Sequence, residues 1–133
     1  METSPVTLSY QSNCKINLGL RVLNKRTDNF HNLESIFVEV NLADELFFQK
    51  SDHFIFTSNN EELTQLNNNT IKQAYHKLKP LAKIDQSYSI HLSKNIPMGA
   101  GLGGGSSNAA ITLKVLNKLW NLNLSNNELF NIG

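Results

Sequence analysis

What is scarce in this sequence excludes a good deal. It has one cysteine, Cys14, so no disulfide can close within the chain, which fits a reducing cytoplasm. As a small residue at the start of a strand, Cys14 reads as packing and not as a nucleophile. No apolar run approaches the roughly 18 residues of a membrane span, and the N-terminus lacks a signal-peptide pattern. Charge is thin as well: 17 % of residues are charged, the net charge is +1 and no basic block occurs. Neither nucleic acid nor an anionic membrane is therefore expected as a partner. His53, His76 and His91 have no companions at ligand spacing, so no metal site is expected from them. Asparagine is abundant and reads as a composition bias more than as chemistry. With 133 residues, no repeat and no linker, the chain is expected to form one domain over residues 1–133.

Glycine is equally scarce, except in one place. Five of the seven glycines lie in Pro97-Met-Gly-Ala-Gly-Leu-Gly-Gly-Gly-Ser-Ser-Asn-Ala-Ala110. Such a run reaches backbone conformations closed to other residues and brings N–H groups close to a ligand. Ser106 and Ser107 follow as N-cap residues of an apolar-periodic helix. Loop donors at the positive end of a helix make a phosphate cradle. A Rossmann loop would follow a strand directly, with an acidic residue about 20 positions on, whereas the next acid here is Glu128. A Walker A loop needs a lysine where Gly105 stands. A protein-kinase loop leads into a hairpin, and here a helix follows. A flexible linker would not join an apolar strand to a capped helix.

Along the chain, Ile16, Leu18, Leu20 and Val22 alternate, which predicts a half-buried strand over 16–23. A polar turn spans 24–32, and strands are expected at 36–40, 45–49 and 54–56, with a turn at Asp44. Four early strands with short connections suggest antiparallel pairing. Residues 58–68 read as loop. Asn69 caps a helix that presents Ile71, Ala74, Tyr75 and Leu78 and stops at Pro80. A strand over 88–92 feeds the glycine run, and a helix over about 107–120, apolar on much of its circumference, follows it. Ser125 and Glu128 form a capping box for a last short helix. Trp120, Phe47 and Phe48 read as core. The order ββββ-α-β-α-α is an α+β fold with an antiparallel-rich sheet and its helices on one side.

The pattern Pro-x-Gly-x-Gly-Leu-Gly-x-Gly-Ser-Ser resembles the phosphate loop of the GHMP kinases, such as galactokinase, homoserine kinase and mevalonate kinase. The resemblance implies their N-terminal domain fold, also found in a domain of a ribosomal protein, with ATP and Mg²⁺ as cofactors. It implies ATP binding by Pro97, Met98, Gly99, Ala100, Gly101, Leu102, Gly103, Gly104, Gly105, Ser106 and Ser107. The two serine hydroxyls would sit on phosphate or Mg²⁺. Asn69 and Lys94 fall where the family contacts adenosine or approaches the phosphates. Ser12-Asn-Cys-Lys15-Ile-Asn17-Leu18 resembles the family motif Ser-Pro-Ala-Lys-Ile-Asn-Leu, which makes Lys15 the catalytic-site lysine and Asn17 a substrate-binding residue. A lysine there lowers the pKa of the accepting hydroxyl or neutralises charge on the transferring group. Outside that motif it would read as a solvated strand-edge charge.

Asp28-Asn-Phe30-His31-Asn-Leu33 resembles the Asp-Gly-Tyr-His-x-Leu turn of the branch that phosphorylates the 2-hydroxyl of 4-diphosphocytidyl-2-C-methyl-D-erythritol, in isoprenoid precursor synthesis. Phe30 then stands where a tyrosine stacks on cytosine, and His31 where the cytosine edge is hydrogen-bonded; the ring face is kept and the hydroxyl lost. The implied partner is a small molecule carrying a cytidine diphosphate group. In this family a Gly-Ala-Asp-hydrophobic-Pro segment, with the Asp as base, and a C-terminal domain lie beyond the equivalent of Gly133. The chain is thus expected to be an N-terminal portion, weak or inactive alone and prone to self-association through an exposed apolar surface. The alternatives are another GHMP small-molecule kinase, or a nucleotide-binding module without catalysis.

Overall fold

Two long strands, β1 (Thr7–Lys25) and β2 (His31–Ser51), set the frame. They belong to a computed structural model that describes residues 6–25, 31–67, 69–97 and 104–133, and the backbone alone for 14–25, 31–41 and 104. The strands pair antiparallel from Thr7↔Gln49 to Lys25↔His31, with register shifts after Asn13, Asn17 and Val22. Shifts of this kind bend and twist a ribbon. The predicted strands at 36–40 and 45–49 are one strand, and the turn expected at Asp44 does not exist. The reason lies in the side chain: Asp44 is fully buried and its carboxylate is met by protein donors, so the strand need not break to hydrate it.

Short β3 (Ile55–Ser58) pairs in parallel with β4 (Ser87–Ser93), and β4 pairs antiparallel with β2, giving the order β1-β2-β4-β3. The antiparallel pairing expected of the four early strands does not extend to β3, whose parallel neighbour requires a crossover. The crossover is helical: α1 (Glu61–Gln65), α2 (Thr70–Leu78) and a 3-10 turn at Lys79–Leu81 containing Pro80. Helix α1 lies where a loop was expected. Asn60 caps it by accepting from the Leu63 N–H at 3.2 Å, with Glu61 and Glu62 in its first turn.

The helices α3 (Gly104–Leu119) and α4 (Asn126–Ile132) complete the α+β arrangement. Strict alternation puts Leu46 and Phe48 of β2, and Tyr88, Ile90 and Leu92 of β4, on one buried face. Against it pack Ile71, Ala74, Tyr75 and Leu78 of α2 and Leu113, Val115 and Leu116 of α3, with Trp120 just beyond. Helix α3 buries a single face; Ala110, Lys114 and Lys118 are exposed, a narrower burial than its composition suggests. The asparagines are more than a composition bias. Asn121 and Asn123 take left-handed backbone at φ 53° and 57°, which a short polar side chain tolerates, and Asn117 bonds both N–H and C=O of Leu124. Ser125 and Glu128 form the predicted capping box.

Candidate phosphate-binding site

The sheet delivers β4 to Lys94, Asn95 and Ile96, and the chain returns as α3 at Gly104. The helix therefore begins inside the glycine run, earlier than the predicted 107. Ser106 and Ser107 sit in its first turn and are not N-caps. Gly105 and Ser106 are exposed, and no acidic residue occupies that turn. Its first N–H groups have no partner within the helix, and the dipole makes that end positive. The N-terminus of α2 lies alongside, since the Thr70 hydroxyl donates to the carbonyl of Gly105 at 3.0 Å. The convergence of two positive helix ends with the exposed Gly105 and Ser106 fits a phosphate group. Gly104, Gly105, Ser106 and Ser107 share that first turn, and Pro97 follows Ile96 on the entering side. Met98, Gly99, Ala100, Gly101, Leu102 and Gly103 lie outside the described residues.

Beneath this end lies a polar cluster that sequence reasoning missed. Asp44 Oδ1 accepts from the Asn95 N–H at 2.7 Å and the Ile96 N–H at 2.8 Å. Its Oδ2 accepts from Lys94 Nζ at 2.7 Å and Asn108 Nδ2 at 3.1 Å. Burial alone would raise the pKa of this carboxyl. The Ile96 N–H, the Lys94 ammonium, the Asn95 N–H and the Asn108 amide outweigh that and hold it below its ordinary value. Asn108 Oδ1 is buried without a partner among the described residues. Beside it, the buried Ser12 hydroxyl donates to Ser107 Oγ at 2.8 Å, and Ser12 is the cross-strand partner of Asp44. One signal in the sequence could have found Asp44: it shares the even-numbered parity of Val38, Val40, Leu42, Leu46 and Phe48.

Two of the residues implied as nucleotide contacts also have partners within the fold. Lys94 is committed to a buried ion pair with Asp44, with the two side chains 9 % and 0 % exposed. Asn69 caps α2, accepting from the Lys72 N–H at 2.8 Å and donating to the carbonyl of Leu63 at 3.2 Å. Both help build the site, and these bonds use one of the three donors of the Lys94 ammonium and one of the two of the Asn69 amide. On the substrate side, the backbone of Lys15 pairs with Glu39, and that of Asn17 with Phe37. Lys15 follows Ser12 by about 10 Å of strand, so β1 runs from the α3 contact to the lysine. His31 opens β2 opposite Lys25, while Phe30 lies outside the described residues. Among the described residues, no group of His, Cys, Asp or Glu is placed to hold a metal ion, and no helix is long and apolar enough to cross a membrane.

Comparison with known proteins bears on the family and the fold. Residues 69–133 match the family model of the GHMP kinases N terminal domain. A protein of Prosthecochloris aestuarii named 4-diphosphocytidyl-2-C-methyl-D-erythritol kinase is 41 % identical over 127 residues, covering 96 % of this chain and 44 % of that protein. A protein of the same name from Syntrophus aciditrophicus is 46 % identical, over 95 % of this chain and 46 % of its own length. The crystal structure of a 4-(cytidine 5'-diphospho)-2C-methyl-D-erythritol kinase superposes with a TM-score of 0.77 at 30 % identity, over 95 % of this chain and 46 % of that one. The chain thus spans less than half the length of the curated relatives it matches.

Proposed function

We propose, from a chain that belongs to the GHMP kinases and carries their N-terminal domain, that residues 1–133 form the nucleotide-holding part of an ATP-dependent small-molecule kinase. The observation that carries this reading is the entry of the glycine run into the exposed, acid-free first turn of α3. Backbone N–H groups from Gly99 to Ser107 would hold the phosphates, with Ser106 or Ser107 toward Mg²⁺. ATP supplies the phosphoryl group when bound; the chain binds, orients and neutralises charge.

The acceptor is a hydroxyl of a sugar alcohol linked to cytidine diphosphate, as in 4-diphosphocytidyl-2-C-methyl-D-erythritol. The identity of 41–46 % to relatives of that name supports this choice. Phe30 stacks on the cytosine, His31 bonds its edge, Asn17 binds the substrate and Lys15 neutralises charge at the accepting oxygen. A role in isoprenoid precursor synthesis in the cytoplasm goes with that acceptor.

The test is an assay of ADP release from Mg-ATP, with and without the cytidyl acceptor. Acceptor-dependent turnover, weak in this chain alone, is expected, and Lys15→Ala should lower it about 100- to 1000-fold in kcat, the usual loss for one transition-state contact. Undiminished turnover in Lys15→Ala would remove that residue from the mechanism. ATP binding without turnover would favour the second reading, a nucleotide-binding module without catalysis.

A further inference from the structure

We infer that Asp44 is a positioning residue that fastens the two ends of the glycine run to each other and to the sheet. The inference rests on the nucleotide reading of the site and deepens it. Glycine side chains cannot anchor a loop, and its freedom must be removed from outside if its N–H groups are to meet phosphate in a fixed array. The described anchors on both flanks converge on one carboxylate. The entering strand is held through the N–H groups of Asn95 and Ile96 on Oδ1, and the departing helix through Asn108 on Oδ2. Asp44 is 0 % and Asn108 3 % exposed, so water does not compete for these bonds.

The charge arrangement is also specific. An unpaired carboxylate under the first turns of α3 would occupy the positive end of the dipole and repel a phosphate. The Lys94 ammonium at 2.7 Å neutralises it, leaving the dipole for the ligand. The same crossing point joins β1, because Ser12 lies opposite Asp44 and bonds Ser107. Asp44 therefore helps set the spacing between the strand that carries Lys15 and the helix that follows the glycine run.

Asp44→Asn keeps the shape and replaces an acceptor oxygen by a donor. The first readout is amide exchange in the unliganded chain, where Asn95, Ile96 and residues 105–108 should exchange about 10- to 100-fold faster, the loss of a hydrogen bond to a charged group. Ile90 and Leu92 in β4 should keep their protection. The second readout is affinity: ATP should bind about 10-fold or more weakly, with adenosine affinity unchanged. If this variant does not fold, Asn108→Ala, which leaves the Asp44–Lys94 pair in place, is read in the same way. Faster exchange spread evenly over β4, or an equal loss of ATP and adenosine affinity, would reduce Asp44 to general stability and overturn the inference. A wild-type chain that does not bind ATP would sink the nucleotide reading, whereas the exchange pattern still decides whether Asp44 fastens the loop.

Discussion

Trp120→Ala is expected to destabilise the chain by about 3–5 kcal/mol, the range for removing a large buried aromatic. Trp120 is 1 % exposed and sits where α2, α3 and β4 meet. Its ring lies edge-on to Tyr75 at 5.2 Å and to Tyr88 at 6.1 Å, with the Lys79 ammonium 5.4 Å from its centre. Its indole N–H donates to the carbonyl of Gln86 at 2.8 Å, just before β4. Alanine would leave a cavity and orphan that carbonyl together, so the transfer, cavity and polar terms act in one direction. Against a typical total of about 5–15 kcal/mol, such a loss puts the fold near its limit. Urea denaturation reads it directly. A loss below about 1 kcal/mol would mean that the surroundings collapse into the space, contrary to the packing described.

Asp44→Ala is expected to cost a similar amount, about 3–5 kcal/mol, because it leaves the Lys94 ammonium buried without its counter-charge. The N–H groups of Asn95 and Ile96 lose their acceptor as well. The pH dependence has a definite sign. The folded carboxyl lies below its unfolded value, so its contribution is complete above about pH 4 and is lost as pH falls through the lower folded value. Urea midpoints of the wild type should therefore fall as pH drops from about 4 toward 2, and Asp44→Asn should show a flatter profile from a lower start. Parallel profiles for the two proteins would contradict the ion-pair account.

Local chemistry made part of this legible in the sequence. Asn69 as a cap, Ser125 with Glu128 as a capping box, the alternation of Tyr88, Ile90 and Leu92, and Trp120 as core each depend on neighbours within a few positions. The glycine run likewise identified itself by density. What escaped was set by partners far along the chain. Asp44 looks like a turn residue until its donors at 94–96 and 108 are brought to it, and Ser12 acquires meaning only through Ser107. The parallel pairing of β3 with β4 depends on α1, which its neighbours alone mark weakly. The early start of α3 at Gly104 runs against glycine's poor helix propensity, and Thr70 bonded to the Gly105 carbonyl is the tertiary contact visible at that turn.

Thermal melting of the chain with Mg-ATP, beside the same concentration of adenosine, tests most directly whether the glycine run and the α3 N-terminus hold the phosphates of a nucleotide. ATP at about 100 times its Kd should stabilise the fold by about 2.7 kcal/mol, while adenosine, which lacks the phosphates, should do far less. Equal protection by ATP and adenosine, or none by ATP, would contradict the assignment of this loop to phosphate.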